Sequence, residues 1–313
     1  MKSSLDNIPF QLKVSDLDEA IADYTRRQGF RLDMIMPADN PSEALLSKGD
    51  SLVRLIVARE SSAAASDTSW HPGRAGMEYR DLIPGRANGK LIASHIRIPA
   101  GGPVADYVHY HMIDFQLLYC RSGWVRVAYQ DQGEPIMMQA GDCVLQPPGI
   151  RHRVLECSAG VEVIEVGLPA IHETWADHEL ALPTSTLDPE RVFGGQLFLH
   201  HQHQQARWEP SASAFVKDLG VGKASRGAGD AWVWRAESGS KFLMPSVAGP
   251  RLIFVLAGVL QIDLPDSTRE LRSDDCILLP EKSQATIHCL SESEILDIGI
   301  NPTLMAQSVT TLD

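Results

Sequence analysis

An internal repeat constrains this chain more than any other feature. Four segments of one part align, in the same order, with four segments of a later part, and the separation drifts by only a few residues. The matching pairs are YRDLIPG at Tyr79 with FVKDLGVG at Phe215, FQLLYCRSGWVRV at Phe115 with PRLIFVLAGVLQI at Pro250, GDCVLQPPG at Gly141 with DDCILLPEK at Asp274, and VEVIEVGLP at Val161 with SEILDIGIN at Ser293. The chain is therefore predicted to contain one structural unit twice.

The repeated unit is predicted to be all-β. From Met77 onward, short alternating strands are interrupted by Gly and Pro, and no long helical pattern occurs, which is typical of a sandwich or barrel. We expect a mainly β protein with two tandem β-barrels, at residues 77–170 and 211–302, and a tail at 303–313. The connector, 171–210, contains HETWADHE and HHQHQ. Their spacing fits no defined metal site, so we predict an exposed, solvated segment.

Residues 1–60 have a different pattern. A strand-like run, Phe10 to Val14, precedes a helix whose apolar residues recur with helical spacing at Leu17, Ala20, Ile21 and Tyr24. Three short strand-like runs follow, so the predicted order is βαβββ in a small α+β module. A stretch rich in Ser, Ala and Gly follows it, and we predict a linker at residues 61–76.

Composition narrows the classes of partner. The net charge is -12, and an acidic surface repels nucleic acid and anionic lipid. No apolar stretch approaches the roughly 18–20 residues of a membrane span, and the polar N-terminus lacks the apolar core of a signal peptide. The five cysteines form no CxxC pair, which favours reduced, buried thiols. We expect a cytoplasmic protein that binds neither nucleic acid nor membrane.

Three histidines and a glutamine form the candidate site. His109 and His111 are two residues apart, so in a strand they point to the same side. Gln116 begins the next predicted strand, and His152 follows a Pro-Pro-Gly turn. Burying these polar side chains together would cost several kcal/mol unless a metal or a hydrogen-bond network satisfied them. We therefore predict a metal site.

These residues carry a resemblance to the cupin superfamily. The first cupin motif consists of HxH, then a Glu after four residues, then a Gly after six more. This chain matches it from His109 to Gly123, except that Gln116 replaces the Glu. The second motif, Gly, five residues, Pro-x-Gly, two residues, His, is matched from Gly141 to His152. The resemblance implies two jelly-roll barrels, a bicupin, with one divalent metal ion per chain held by His109, His111, Gln116 and His152. It also implies a homodimer.

Two further residues are candidates for catalysis. By strand parity, Tyr107 shares a face with His109 and could look into the cavity. Glu156 lies four residues after His152, so the same parity predicts that it could orient a ligand or act as a general base, or else be a rim residue facing solvent.

The second copy lacks the ligands. Met244, Ser246, Arg251 and Ala285 occupy the four corresponding positions, and Arg251 would repel a cation. We predict a structural barrel; binding of an anion through Arg251 is the alternative.

The N-terminal module, over about residues 8–58, resembles one module of the vicinal-oxygen-chelate, glyoxalase-like superfamily. That family takes a metal ligand from the first strand, where this chain has Pro9. Because proline cannot ligate a metal, the module is predicted to be metal-free.

Several functions remain open from the sequence. Uncharged ligands leave a divalent metal with nearly its full charge, which favours a small anionic or oxygen-chelating substrate. The resemblance to bicupins favours a mononuclear Fe(II) dioxygenase acting on a small anionic or aromatic compound. The alternatives are an isomerase or lyase of a sugar-acid-like compound, which could use Mn, Ni or Zn, and a non-catalytic cupin that binds a small ligand.

Overall fold

The computed structural model describes residues 9–57, 69–244 and 248–307. Strands dominate this part of the chain. Two β-barrels follow one another and are preceded by a small α+β module. The predicted fold class is therefore confirmed. Ser246 and part of the predicted linker lie outside the described residues.

The N-terminal module has the predicted order βαβββ. Its elements are β1 (Phe10–Val14), α1 (Leu17–Arg26), β2 (Arg31–Met36), β3 (Glu43–Lys48) and β4 (Ser51–Val57). The side chain of Asp16 caps α1 by accepting a hydrogen bond from the backbone N–H of Glu19 at 2.9 Å. The apolar stripe of α1 packs on a buried cluster that includes Leu46 and Leu55. The resemblance of this module to the glyoxalase-like superfamily stays a prediction.

The first barrel is formed by two facing sheets. Its elements are β5 (His71–Pro72), a 3₁₀ turn (Arg74–Gly76), β6 (Glu78–Asp81), α2 (Arg86–Gly89), β7 (Ile92–Ile98), β8 (Gly102–Pro103), β9 (His109–His111), β10 (Phe115–Ser122), β11 (Trp124–Tyr129), β12 (Ile136–Gln139), β13 (Cys143–Leu145), β14 (His152–Cys157) and β15 (Val161–Leu168). One sheet contains the order β13-β10-β15-β7-β6-β5, and the other contains β9-β14-β11-β12.

The connector is part of the folded structure. It contains β16 (Thr174–Ala176), β17 (Val192–Phe193), β18 (Gln196–Leu197), β19 (Leu199–His201) and a 3₁₀ turn (His203–Gln205). Strand β16 lies between β2 and β9, so it joins the sheet of the N-terminal module to that of the first barrel. Strand β19 extends the other sheet beside β13. The prediction of an exposed, solvated connector is wrong for β16 and β19, because their backbone groups extend the two sheets. Strands β17 and β18 pair with each other.

The second barrel repeats the first. Its elements are β20 (Glu209–Ser211), β21 (Ala214–Asp218), α3 (Val221–Ala224), β22 (Gly229–Ala236), β23 (Lys241–Leu243), β24 (Arg251–Ala257), β25 (Val259–Leu264), β26 (Ser267–Arg272), β27 (Cys276–Leu279), β28 (Thr286–Cys289) and β29 (Ser293–Ile300), followed by α4 (Pro302–Gln307). Its sheets have the orders β20-β21-β22-β29-β24-β27 and β23-β28-β25-β26.

Strand alternation divides the apolar residues between two cores. Along β10, Leu118 and Cys120 point into the first barrel, whereas Phe115, Leu117 and Tyr119 belong to a cluster shared with the second barrel. The two barrels therefore pack against each other through the outer faces of one sheet each. Burial of this shared apolar surface is what holds them together.

None of the helices in the described ranges is long and apolar enough to cross a membrane. The cytoplasmic location and the homodimer stay predictions.

Candidate metal centre

The three predicted histidine ligands meet inside the first barrel. His109 and His111 lie on β9, and His152 at the start of β14 pairs in register with His109. All three side chains are buried, and one nitrogen from each lies within 4.8 Å of the others. The cluster could therefore hold a metal ion, as the alternation of His-Tyr-His and the Pro-Pro-Gly turn predicted.

Hydrogen bonds fix the orientation of each ring. His109 and His152 each place Nδ1 against the backbone carbonyl oxygen two residues earlier, at 2.8 and 3.1 Å. Nδ1 of His111 lies 2.9 Å from the hydroxyl oxygen of Thr174. A carbonyl can only accept, so Nδ1 of His109 and His152 carries the proton and Nε2 keeps its lone pair. This is how metal-binding histidines are held in proteins.

The surroundings keep these imidazoles uncharged. Burial lowers the pKa of His152 to about 4. Burial, together with nearby positive charge, holds the pKa values of His109 and His111 well below the ordinary range. A neutral imidazole is the form that binds a metal, so the donor set suits a divalent ion of the first transition series.

Gln116 belongs to a chain of amides beside the histidines. Its Oε1 accepts a hydrogen bond from Nε2 of Gln146 at 2.7 Å, and its own Nε2 donates to Oε1 of Glu165 at 2.6 Å. The hydroxyl of Tyr129 in turn donates to Gln146 at 3.1 Å. An amide oxygen has two lone pairs, so one remains for a cation. The role of Gln116 as a fourth ligand stays a prediction.

Glu165 is a buried carboxylate that the sequence analysis missed. It lies on β15 opposite Leu118 and is 8% exposed. Burial raises its pKa, although the hydrogen bond from Gln116 opposes that effect. The signal that could have found it is parity: Val161 and Val163 on the same strand also face the cavity.

Arg74 enters the site from the region predicted to be a linker. Its Nη2 lies 2.7 Å from Nε2 of His109, and its Nη1 donates to Oδ1 of Asp106 at 2.6 Å. The other carboxylate oxygen of Asp106 accepts the backbone N–H of Val154 at 2.9 Å. A positive charge is thus fixed beside the histidines. The sequence analysis did not identify Arg74 as a site residue, because a stretch rich in Ser and Ala has no periodic pattern that predicts a buried side chain.

The structure places Glu156 and Tyr107 outside the cavity. Val127 pairs with Val154 but Arg126 pairs with Glu156, so one extra residue forms a β-bulge in β14. The bulge reverses the parity after His152. Glu156 therefore points outward, where it forms an ion pair with Arg126 at 2.8 Å. The expectation that it shares a face with His152 is wrong.

Tyr107 packs beside His109 and Arg74. Its ring lies 5.7 Å from the ring of His109 and 5.9 Å from the guanidinium of Arg74, measured between centres. It is absent from the cavity wall formed by the described residues. A catalytic role for Tyr107 or Glu156 gains no support from this geometry.

His172 comes from the connector and lines the cavity. It is 5% exposed, and its ring centre lies 5.4 Å from that of His111. Its Nδ1 donates to the carbonyl of Pro169 at 2.9 Å, and its buried Nε2 has no hydrogen-bond partner among the described residues. Burial lowers its pKa. It therefore offers an uncharged acceptor to a ligand in the cavity.

The cavity is small and combines a mainly apolar wall with several polar groups. It encloses about 100 Å³, enough for a small organic molecule. The apolar wall comes mainly from the first barrel: Met77, Ile92, Ile96, Ile98, Leu118, Val125, Val127, Met138, Val154, Val161 and Val163. Ala38 and Asp39 of the N-terminal module also reach it. The polar groups, including His111, His152 and Arg74, share this enclosed space with the apolar wall.

The described residues of the second barrel form no equivalent site. Met244 and Ala285 are buried and apolar, and Arg251 forms an ion pair with Asp297, with Nε and Oδ1 2.7 Å apart. Among the described residues, the three histidines of the first barrel form the one cluster with the geometry of a metal site. The predicted asymmetry between the barrels agrees with this arrangement.

The architecture is similar to that of proteins of known structure. Oxalate decarboxylase from Bacillus subtilis superimposes with a TM-score of 0.57 at 13% identity, covering 75% of this chain and 75% of that one. The chain has the bicupin fold. Salicylate 1,2-dioxygenase from Pseudaminobacter salicylatoxidans is a second bicupin, with a TM-score of 0.56 at 12% identity, covering 74% of this chain and 78% of the other. No family model matches the sequence, and no curated protein matches it.

Proposed function

We propose that this bicupin is a metal-dependent enzyme, and specifically a mononuclear Fe(II) dioxygenase acting on a small anionic or aromatic compound that chelates through oxygen. One observation carries the proposal. His109, His111 and His152 bring uncharged ring nitrogens within 4.8 Å of one another, and His111 and His152 line a small, mostly apolar cavity. A bound metal would supply open coordination positions for substrate and dioxygen.

Charge supports an anionic substrate. The histidines and Gln116 bring no negative charge, so they leave the double positive charge of a divalent metal uncompensated. The guanidinium of Arg74 lies within hydrogen-bond distance of His109, and its charge is paired with Asp106. A substrate carboxylate, enolate or phenolate would therefore be attracted to a metal held by these ligands.

The protein's own residues prepare the site in two ways. The amide chain from Tyr129 through Gln146 to Gln116 fixes the orientation of the fourth candidate ligand. The apolar wall excludes water, which strengthens the electrostatic interactions of the bound substrate. His172 contributes a hydrogen-bond acceptor to the same space. A substrate hydroxyl is a suitable partner for it.

Glu165 favours a second candidate, an isomerase or lyase in which a metal acts as a Lewis acid. Burial raises the pKa of the Glu165 carboxyl, so it holds a proton more readily than an exposed carboxyl and could exchange it with a bound substrate. It touches Gln116, so it lies near the candidate ligands. The residue takes the role that the sequence analysis gave to Glu156. We rank the dioxygenase above the isomerase or lyase because the mostly apolar wall of the cavity suits an aromatic substrate.

The test is metal analysis combined with oxygen uptake. The protein is purified, its metal content is measured by mass spectrometry, and it is loaded anaerobically with Fe(II). Oxygen uptake is then followed with a panel of catechols and 2-oxo acids. About one iron per chain with substrate-dependent uptake supports the dioxygenase. One zinc, nickel or manganese without uptake supports the isomerase or lyase, and absence of metal contradicts the proposal.

A further inference from the structure

We infer that Arg74 competes with the metal for His109. The guanidinium of Arg74 lies within hydrogen-bond distance of the candidate ligand nitrogen of His109, so metal binding would have to displace it. The inference rests on the proposed metal centre but does not depend on the reaction that the centre performs.

The competition follows from one lone pair. Nδ1 of His109 donates its proton to the carbonyl of Tyr107, so Nε2 is the acceptor nitrogen of this ring. Nη2 of Arg74 lies 2.7 Å from that nitrogen and can only donate. A metal ion needs the same lone pair. The guanidinium and the metal therefore cannot use His109 at the same time.

The other two histidines are not held in this way. In the part of the chain that the structure describes, the rings of His111 and His152 form their hydrogen bonds through Nδ1 alone. One ring nitrogen of each belongs to the cluster whose ligand atoms lie within 4.8 Å of one another. Arg74 thus withholds one of three ligands, and the metal would have to recruit His109 against a competing hydrogen bond.

Arg74 cannot move far once it is displaced. Its guanidinium is buried and is tied to Asp106 at 2.6 Å, with a side-chain exposure of 16% for Arg74 and 0% for Asp106. Asp106 is held in turn by the backbone N–H of Val154. The released guanidinium therefore stays close to the metal, where two positive charges repel each other in a poorly screened interior. Both effects lower the affinity of the wild-type site for metal.

The experiment is a titration with Co²⁺ under anaerobic conditions, without substrate, in which the absorption bands of bound Co²⁺ give the dissociation constant. Arg74→Gln removes the competitor and its charge. The double variant Arg74→Gln with Asp106→Asn removes the competitor while leaving the summed charge of the pair unchanged. Arg126→Gln is the matched control, because Arg126 is an arginine of the same barrel that points outward to Glu156.

Arg74→Gln is expected to bind Co²⁺ about tenfold or more tightly than wild type. The double variant should also bind more tightly, since release of His109 does not depend on charge, and Arg126→Gln should match wild type. Arg74→Lys keeps the charge beside Asp106 on a shorter side chain, so a smaller gain in the same direction is expected. It serves as the second variant if Arg74→Gln folds poorly.

Equal or weaker binding in all three Arg74 variants would overturn the inference. So would a Co²⁺-loaded crystal structure in which Arg74 still lies within hydrogen-bond distance of Nε2 of His109. Because the measurement needs neither oxygen nor substrate, its outcome is separate from that of the dioxygenase test. Absence of Co²⁺ binding in every variant would overturn the competition and the metal centre together.

Discussion

The two barrels differ most clearly at one shared pair of positions. In each, a residue of the strand after the ligand region pairs with a glycine of the last barrel strand, and a carboxylate lies two residues before that glycine. In the first barrel the pair is Gln116 and Glu165, joined at 2.6 Å. In the second it is Arg251 and Asp297, joined at 2.7 Å. The same architecture thus holds an amide in one copy and a guanidinium in the other.

The difference shows how a barrel can gain or lose a cation site. In the second barrel, the guanidinium of Arg251 supplies a permanent positive charge to the buried carboxylate. In the first, Gln116 supplies no charge, and three uncharged imidazoles face the interior. At this position the second barrel has a guanidinium, which cannot ligate a metal, whereas the amide and the imidazoles of the first barrel have lone pairs that a metal could use.

The largest expected effect is loss of metal on removing a ligand. His152→Ala should lower metal affinity by at least about a hundredfold, since even residues that only support a ligand contribute ten- to a hundredfold. Ser246→Ala changes a ligand-equivalent position of the second copy and should leave metal content unchanged. Mass spectrometry of both purified variants checks this. Equal loss in both would contradict a single site in the first barrel.

Gln116→Arg tests the comparison by giving the first barrel the residue that the second barrel has at the corresponding position, Arg251. The arginine is expected to pair with Glu165, as Arg251 pairs with Asp297, and to repel a cation by its charge. Metal affinity should fall about a hundredfold while the fold is kept. Calorimetric titration with Co²⁺ and circular dichroism measure the two outcomes. Gln116→Leu separates the charge from mere loss of the amide, and undiminished affinity in the arginine variant would refute the argument.

Arg251→Leu tests the other half of the comparison. Breaking a buried ion pair should lower the free energy of unfolding by about 3 kcal/mol without changing metal content. Burial raises the pKa of Asp297 to about 7 even against the opposing charge of Arg251, and removing Arg251 raises it further. A raised carboxyl pKa gives stability that is lost as pH rises, and the variant continues to lose it above the wild-type pKa of about 7, so the deficit should be larger at pH 8 than at pH 5. Urea unfolding of wild type and variant at both pH values measures this difference in the free energy of unfolding. A smaller deficit at pH 8 than at pH 5 would be inconsistent with this reasoning.

The smallest effect concerns the contact between the barrels. Arg121 of the first barrel and Asp274 of the second form an ion pair at 2.5 Å. Burial raises the pKa of Asp274, but the hydrogen bond and charge of Arg121 outweigh it and hold the pKa below the ordinary value. Asp274→Asn should cost at most about 1 kcal/mol at neutral pH, because the pair is partly exposed. The cost should vanish as pH falls through the lowered pKa, and persistence of the deficit in acid would point to a different cause.

The sequence predicted the features that follow from repetition and parity. The alignment of the two copies gave the tandem barrels, and the spacing of His109, His111 and His152 gave the cluster. Alternation along β10 places Leu118 and Phe115 in different cores. These predictions work because a strand has a fixed period of two as long as its ladder is unbroken.

The features that the sequence did not predict depend on breaks in strand pairing and on contacts between residues far apart in the chain. The bulge in β14 has no clear sequence signature, and it moved Glu156 to the outer face. Arg74 and His172 come from segments without periodicity, and only tertiary packing brings them to the histidines. Glu165 was hidden in an apolar strand, where its alternation with valines could have indicated an inward-facing carboxylate.

The most direct test of the central claim is the crystal structure of the protein loaded with a divalent transition metal, with data collected at the absorption edge of that metal. One anomalous peak per chain is predicted, about 2.0–2.2 Å from Nε2 of His109, His111 and His152, with none in the second barrel near Arg251. Two peaks, or a single peak away from the three histidines, would contradict the account.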